Sequence, residues 1–168
     1  GRDPKFKDLK KKLYISVYNV NFHKTQYFSI DTHPNMSAID AMFMSISIPL
    51  LFTSSKLDDS IYIDGGIFEK IPMSPFLNKK REDVLGIEID FLCTNKSQIN
   101  SFKDFMQFLY SKCMRSCSVE YDKKVFNIIT LKQNENISIF DFKMHQNDKW
   151  KLFYEGYADA YRHSGFTK

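Results

Sequence analysis

The sequence predicts an α/β layered domain, and three observations carry that expectation. Runs rich in β-branched and aromatic residues (13–20, 25–30, 84–89 and 125–131) alternate with runs whose apolar residues recur at helical spacing. A length of 168 residues with a hydrophobic share of 43% suits one domain, or a large piece of one, with a sizeable core. No internal repeat or low-complexity linker interrupts the alternation.

The elements follow in order. The start is a polar lead-in, with room for a short helix around Phe6 to Lys12. Leu13 to Val20 reads as a strand and Thr25 to Ile30 as a second, hairpin-paired to the first across a turn at Asn21 to Lys24. Pro34 keeps Asp31 to Asn35 a loop. Ser37 or Asn35 caps the next helix. Its residues Ile39, Ala41, Met42, Phe43 and Ile46 are apolar nearly all round, which predicts a buried helix ending before Pro49. Lys56 to Ser60 reads as a polar turn, with Asp58 and Asp59 as turn residues. Pro72 and Pro75 predict irregular chain or a short helix near Pro75. Val84 to Ile89 is almost continuously apolar, as a strand buried on both faces would be, and Asp90 then reads as turn chemistry. Phe102, Phe105, Met106, Leu109, Cys113 and Cys117 line a long amphipathic helix opened by Ser101. Val125 to Leu131 is another strand, Trp150, Phe153, Tyr157, Ala158 and Tyr161 line a closing helix, and Gly165 to Lys168 reads as a frayed tail.

Composition narrows the functional classes. The net charge of +4 is local, because Lys5, Lys7, Lys10, Lys11 and Lys12 crowd the start. Such a run is an ordinary solvated face, with contact to anionic lipid head groups as its alternative. Aromatic residues do not interleave with the bases in a nucleic-acid motif, so no nucleic-acid partner is expected. The three cysteines (Cys93, Cys113, Cys117) match no disulfide or zinc spacing, which fits a reducing compartment. No signal peptide or spanning run is visible, and a cytoplasmic or peripheral membrane location is favoured. His23, His33, His145 and His163 show no metal spacing and read as surface or loop residues. Ser45, Ser47 and Ser74 read as capping or core hydrogen-bonding residues.

The stretch of greatest chemical interest is Ser60 to Phe68. A β-prone run, Ile61-Tyr62-Ile63, delivers one carboxylate, Asp64, at its end, and Gly65 and Gly66 follow at once. A strand-end carboxylate beside a turn without side chains is a common place for a catalytic group. Asp-Gly is equally a common plain turn pair, so the motif alone leaves both readings open.

The order of segments from Leu13 to Ile89 resembles the patatin-like phospholipases. It comprises the strand Leu13 to Val20, then Tyr27-Phe28-Ser29, then the loop with Pro34. The helix Ala38 to Ser47 follows, running into Ser45-Ile46-Ser47-Ile48-Pro49-Leu50-Leu51-Phe52, and then Tyr62-Ile63-Asp64-Gly65-Gly66-Ile67 with Pro72 beyond. Gly156 to Ala160 is similar to the family's final helix. The resemblance implies a three-layer sheet flanked by helices and hydrolysis of acyl esters in phospholipid or another acyl lipid by a Ser–Asp dyad. It implies Asp64 as the base for the serine, with Gly65 and Gly66 shaping the turn that presents it, and it implies no metal or organic cofactor. Such a base needs a carboxylate pKa raised by apolar surroundings, which Ile63, Ile67 and Phe52 would supply. The family's nucleophile lies in Gly-x-Ser-x-Gly. No pair among the six glycines brackets a serine in that way, and the glycine-rich oxyanion loop is missing too. With no initiating Met, the expectation is the C-terminal portion of one patatin-like domain over residues 1–168. That sheet would be incomplete on its N-terminal side, and the chain inactive and poorly soluble alone. The alternative expectation is a non-catalytic relative that binds lipid or protein; an unrelated α/β interaction domain is the third.

Overall fold

A computed structural model describes residues 3–49, 51–91, 99–102, 104–106, 108–109, 112, 119, 121–122, 126–133 and 143–163. It is a mixed α/β structure. Two compact units divide the chain: Gly1–Asn78 with Cys117–Glu120, and Lys79–Ser116 with Tyr121–Lys168.

The first unit is built on a four-stranded antiparallel sheet. Strands β1 (Ile15–Asn19) and β2 (Lys24–Phe28) form the expected hairpin, from Ile15 opposite Phe28 to Asn19 opposite Lys24. The turn between them places His23 in the left-handed region, with φ of 50°. Strands β3 (Ser55–Leu57) and β4 (Ser60–Asp64) form a second hairpin, and β4 pairs antiparallel with β1, giving the order β2-β1-β4-β3. The expected polar turn from Lys56 to Ser60 is thus shorter, because Ser55, Lys56 and Leu57 pair with β4. Only Asp58 and Asp59 turn, and Asp58 takes φ of 51°, a conformation that Asp tolerates better than most residues.

Helix α1 (Ala38–Ser45) starts at Ser37, whose hydroxyl accepts the Asp40 N–H at 3.3 Å. Ala38, Ala41 and Met44, spaced three apart, are its buried side. Ile39, Met42, Phe43 and Ile46 are exposed, which corrects the expectation of a wholly buried helix. Apolar composition says only that every side could be buried; a helix resting on one sheet covers only the stripe that faces it. The core comprises Phe6, Ile15, Val17, Phe28, Ala41, Met44 and Tyr62, with Phe28 edge-on to Tyr62 at 5.3 Å between ring centres. Phe6 reaches it from a single 3₁₀ turn (Phe6–Asp8), shorter than the helix expected there.

The second unit holds a parallel pair, β5 (Gly86–Phe91) with β6 (Ile128–Gln133), in register from Gly86 opposite Ile128 to Phe91 opposite Gln133. Strand β5 departs from the expected burial on both faces, since Ile87 and Ile89 are exposed. Asp90 is a strand residue opposite Lys132, not a turn residue. Described residues between 102 and 112 are helical. Cys93, Cys113, Cys117, Val125 and the tail from Gly165 lie outside the described residues.

The closing helix α2 (Gln146–His163) is present, but its aromatic residues Trp150, Phe153, Tyr157 and Tyr161 are exposed, and the residue it buries is Asp159. That carboxylate accepts the Lys132 N–H of β6 at 2.8 Å and pairs with Arg162 at 3.0 Å. Gly156 sits in mid-helix with nothing within 4 Å of an added Cβ. Gly156→Ala should therefore raise stability by about 0.5–1 kcal/mol, read from urea unfolding, because alanine loses less chain entropy in a helix.

Candidate active site

Asp64 stands at the end of an interior strand, opposite Val17 of β1. Strand β3 reaches only as far as Ser55 opposite Tyr62, so it offers no partner to the Asp64 backbone. The chain leaving α1 supplies one: Asp64 N–H donates to the Ser47 carbonyl at 3.1 Å. The chain then turns at once into a 3₁₀ turn, Gly65–Ile67, with Asp64 as its N-cap. The Gly66 N–H donates to Asp64 Oδ1 at 2.8 Å. Among the described residues, no other group donates to this carboxylate and no cation pairs with it.

Burial pushes the Asp64 carboxyl above the ordinary value of 3.8, partly offset by the Gly66 hydrogen bond, which favours the charged form. Of the three apolar residues expected around it, Ile67 is buried, Ile63 is half-buried and Phe52 is 46% exposed.

Gly65 explains why the turn lacks side chains. A Cβ there would lie 2.4 Å from Ser16 Oγ and 2.7 Å from the backbone carbonyl carbon and oxygen of Ser16. The turn is pressed against the main chain of β1, closer than any Cβ permits. Gly66 supplies the N–H that holds the carboxylate.

Beyond the turn lies a second buried carboxylate that the sequence reading missed. Glu69 is 3% exposed. Its Oε1 accepts the Met73 N–H at 3.1 Å, the Ser74 N–H at 3.1 Å and the Ser74 hydroxyl at 2.9 Å, while Oε2 accepts the Tyr27 hydroxyl of β2. The Glu69 N–H donates to the Gly65 carbonyl at 3.1 Å, so one residue ties the Asp64 turn to β2 and to the turn at 73–74. The signal was an alternation: Ile67, Glu69, Ile71 and Met73 are buried at every second position. Glu69→Gln puts an amide N–H against donors, and it should lower unfolding free energy by about 1–2 kcal/mol in urea melts with the strands retained.

Of the other serine candidates, Ser47 and Ser74 are committed to structure. Ser47 is buried, and its hydroxyl donates to the Phe43 carbonyl at 2.7 Å and lies 3.4 Å from that of Ser55. Ser74 serves Glu69. Ser45 is the last residue of α1. His33 stacks edge-on to Phe28. Among the described residues, no group of three or more His, Cys, Asp or Glu side chains is arranged to hold a metal ion. No described helix is long and apolar enough to cross a membrane.

Residues 2–77, which contain β1 to β4, α1 and the Asp64 turn, match the family model described as patatin-like phospholipase. Over these residues the chain is similar to the patatin-like phospholipases.

Two viral relatives and one solved structure match the chain as well. The chain is 28% identical over 157 residues to an uncharacterized protein of Acanthamoeba polyphaga mimivirus, covering 88% of this chain and 52% of that one. It is 26% identical over 106 residues to a probable lipid hydrolase of Invertebrate iridescent virus 6, covering 60% of this chain and 37% of that one. The fold matches VipD from Legionella pneumophila with a TM-score of 0.65 at 18% identity, over 95% of this chain and 34% of that one. The chain thus spans about half the length of the first of these viral relatives and less of the second. Within residues 2–77, Asp64, Gly65 and Gly66 occupy one strand-to-turn junction, and the resemblance read from the sequence rests on that junction in its ordered context.

Proposed function

We propose that the complete protein is a lipid acyl hydrolase in which Asp64 is the proton acceptor of a Ser–Asp dyad. In this reading the 168 residues are the C-terminal portion of a single patatin-like domain. They carry the acid half of the dyad, and a Gly-x-Ser-x-Gly turn elsewhere in the polypeptide supplies the hydroxyl. The observation that supports it most is the state of the Asp64 carboxylate: partly buried, raised in pKa, held by one oxygen on the Gly66 N–H and free of any cation among the described residues. A carboxylate in a salt bridge would be too weak a base, and one in bulk water would keep an ordinary carboxylate pKa.

The steps balance. The serine hydroxyl gives its proton to Asp64 as its oxygen attacks the ester carbonyl. The tetrahedral adduct collapses, and the leaving alcohol takes the proton from Asp64. Water then attacks the acyl-serine, again giving its proton to Asp64, and serine leaves with that proton as the fatty acid departs. No histidine is required, because Asp64 accepts and returns the proton itself.

The experiment is fatty-acid release from phosphatidylcholine and from a soluble p-nitrophenyl ester, measured for the 168 residues and for the longest natural polypeptide that contains them. Release by the longer form alone is the expected result. Turnover by the 168 residues would remove the division of the dyad, and a natural polypeptide without Gly-x-Ser-x-Gly would remove the hydrolase reading.

A further inference from the structure

Helix α2 is turned the wrong way for an ordinary surface helix. At about 100° per residue, Trp150, Phe153, Tyr154, Tyr157 and Tyr161 fall within an arc of about 100°. This aromatic stripe faces outward, each of its members between 46% and 63% exposed. The rings organise one another on that face: Trp150 and Phe153 meet edge-on at 5.9 Å, Phe153 and Tyr154 at 5.7 Å, and Tyr157 stacks on Tyr161 at 6.3 Å.

Charge is sorted the opposite way. The acids of α2 are Asp148, Glu155 and Asp159, which at about 100° per residue fall together on the side opposite the stripe. Asp159 is buried, half a turn away from the stripe, on the Lys132 N–H, and Glu155 has its Oε2 buried. The bases Lys149, Lys151 and Arg162 are exposed, with Lys149 and Lys151 about 100° to either side of Trp150. The outward half of the helix therefore carries five aromatic rings flanked by cations, with its three carboxylates on the other half.

We propose that this face of α2 docks on an anionic lipid surface. Trp and Tyr rings are amphipathic and settle at the boundary between head groups and acyl chains. Flanking lysine side chains reach up to the head groups while their stems lie along the apolar layer. An apolar face flanked by cations, with the carboxylates of the helix on its opposite side, complements an anionic head-group layer above an apolar interior, whereas a groove without an apolar floor leaves the rings unburied. The inference does not depend on hydrolysis, since α2 lies apart in sequence from the residues around Asp64.

Trp150 is the single tryptophan of the 168 residues, so intrinsic fluorescence reads this face directly. The protein is mixed with vesicles of phosphatidylcholine alone and of phosphatidylcholine with phosphatidylserine. The expected result is co-sedimentation with the mixed vesicles, a shift of Trp150 emission to shorter wavelength and quenching by brominated acyl chains. Binding should weaken as salt rises. The surface double variant Phe153→Ser/Tyr157→Ser should lower partitioning by about tenfold or more with an unchanged circular dichroism spectrum. Lys149→Glu/Lys151→Glu should remove the preference for phosphatidylserine. Sedimentation that survives the aromatic double variant would place lipid contact elsewhere, for example on the lysine-rich start, and overturn the proposal. Emission that shifts with protein concentration and ignores vesicles would assign the face to a second copy of the chain. Trp150 already shielded from iodide without lipid, in a longer natural polypeptide, would assign it to another segment. Each of these last two results also overturns the proposal.

Discussion

Asp64→Asn in the complete protein is expected to lower ester hydrolysis by about 10²- to 10⁴-fold, the usual contribution of a positioned general base. Asparagine keeps the shape and keeps an oxygen for the Gly66 N–H, so only the proton-accepting function is removed. The stability effect has the opposite direction. The carboxyl is raised above 3.8 by burial, so the folded state holds the proton more tightly than the unfolded chain. Its contribution to stability is then full below the unfolded value and is lost as pH rises through the folded value. At neutral pH the wild-type chain buries a charge and the variant does not, so Asp64→Asn should melt at the same temperature or higher. Near pH 3 the two should converge. Hydrolysis by the wild type should rise along an acid limb displaced above the ordinary carboxylate range, since only the ionised form accepts a proton. Thermal melts at both pH values and a pH–rate profile check all three. A variant that turns over normally would exclude Asp64 as the base, and one that unfolds would show the residue to be a structural cap.

Gly65→Ala is expected to destabilise the first unit by about 2–3 kcal/mol, in the range of steric overpacking in a core. Ser16 Oγ could rotate away from the new methyl, but the carbonyl carbon and oxygen of Ser16, 2.7 Å from it, belong to the backbone of β1. Relief requires β1 and the turn to separate, which works against the pairing of Val17 with Asp64. Urea unfolding measures the loss. Gly65→Ala with Ser16→Gly separates the two sources of strain: the hydroxyl contact disappears in the double variant and the backbone contact remains. A double variant as unstable as the single one is the expected result. Full recovery would show that the side chain alone sets the spacing.

Much of the first unit was legible in the residues. The hairpin of β1 and β2 announced itself by β-branched and aromatic runs around a polar turn, whereas the cap of α1 stayed open between Asn35 and Ser37 until the structure placed the Ser37 hydroxyl on the Asp40 N–H. Asp64-Gly65-Gly66 stood out because a strand-end carboxylate followed by two residues without side chains is a local feature, written in consecutive positions. Its context also carried the resemblance to the patatin-like phospholipases, which the family match over residues 2–77 bears out. Glu69 was missed although its alternation with Ile67, Ile71 and Met73 was there to read, because a glutamate counts as exposed until its donors are known. Two of those donors are backbone groups, which no side-chain pattern records.

What the sequence settled alone is local: the positions of most strands and helices, the glycine turn and the mixed α/β class. These depend on propensity, spacing and steric limits within a few residues. What only the tertiary structure decided is which way each element faces. The outward apolar residues of α1 and β5 and the outward rings of α2 defied composition. Composition gives the apolar area an element could bury, whereas the sheet or chain laid against it determines which side is covered. The same distinction governs Asp64: its place at a turn was written in the sequence, but its raised pKa comes from burial, which the fold supplies.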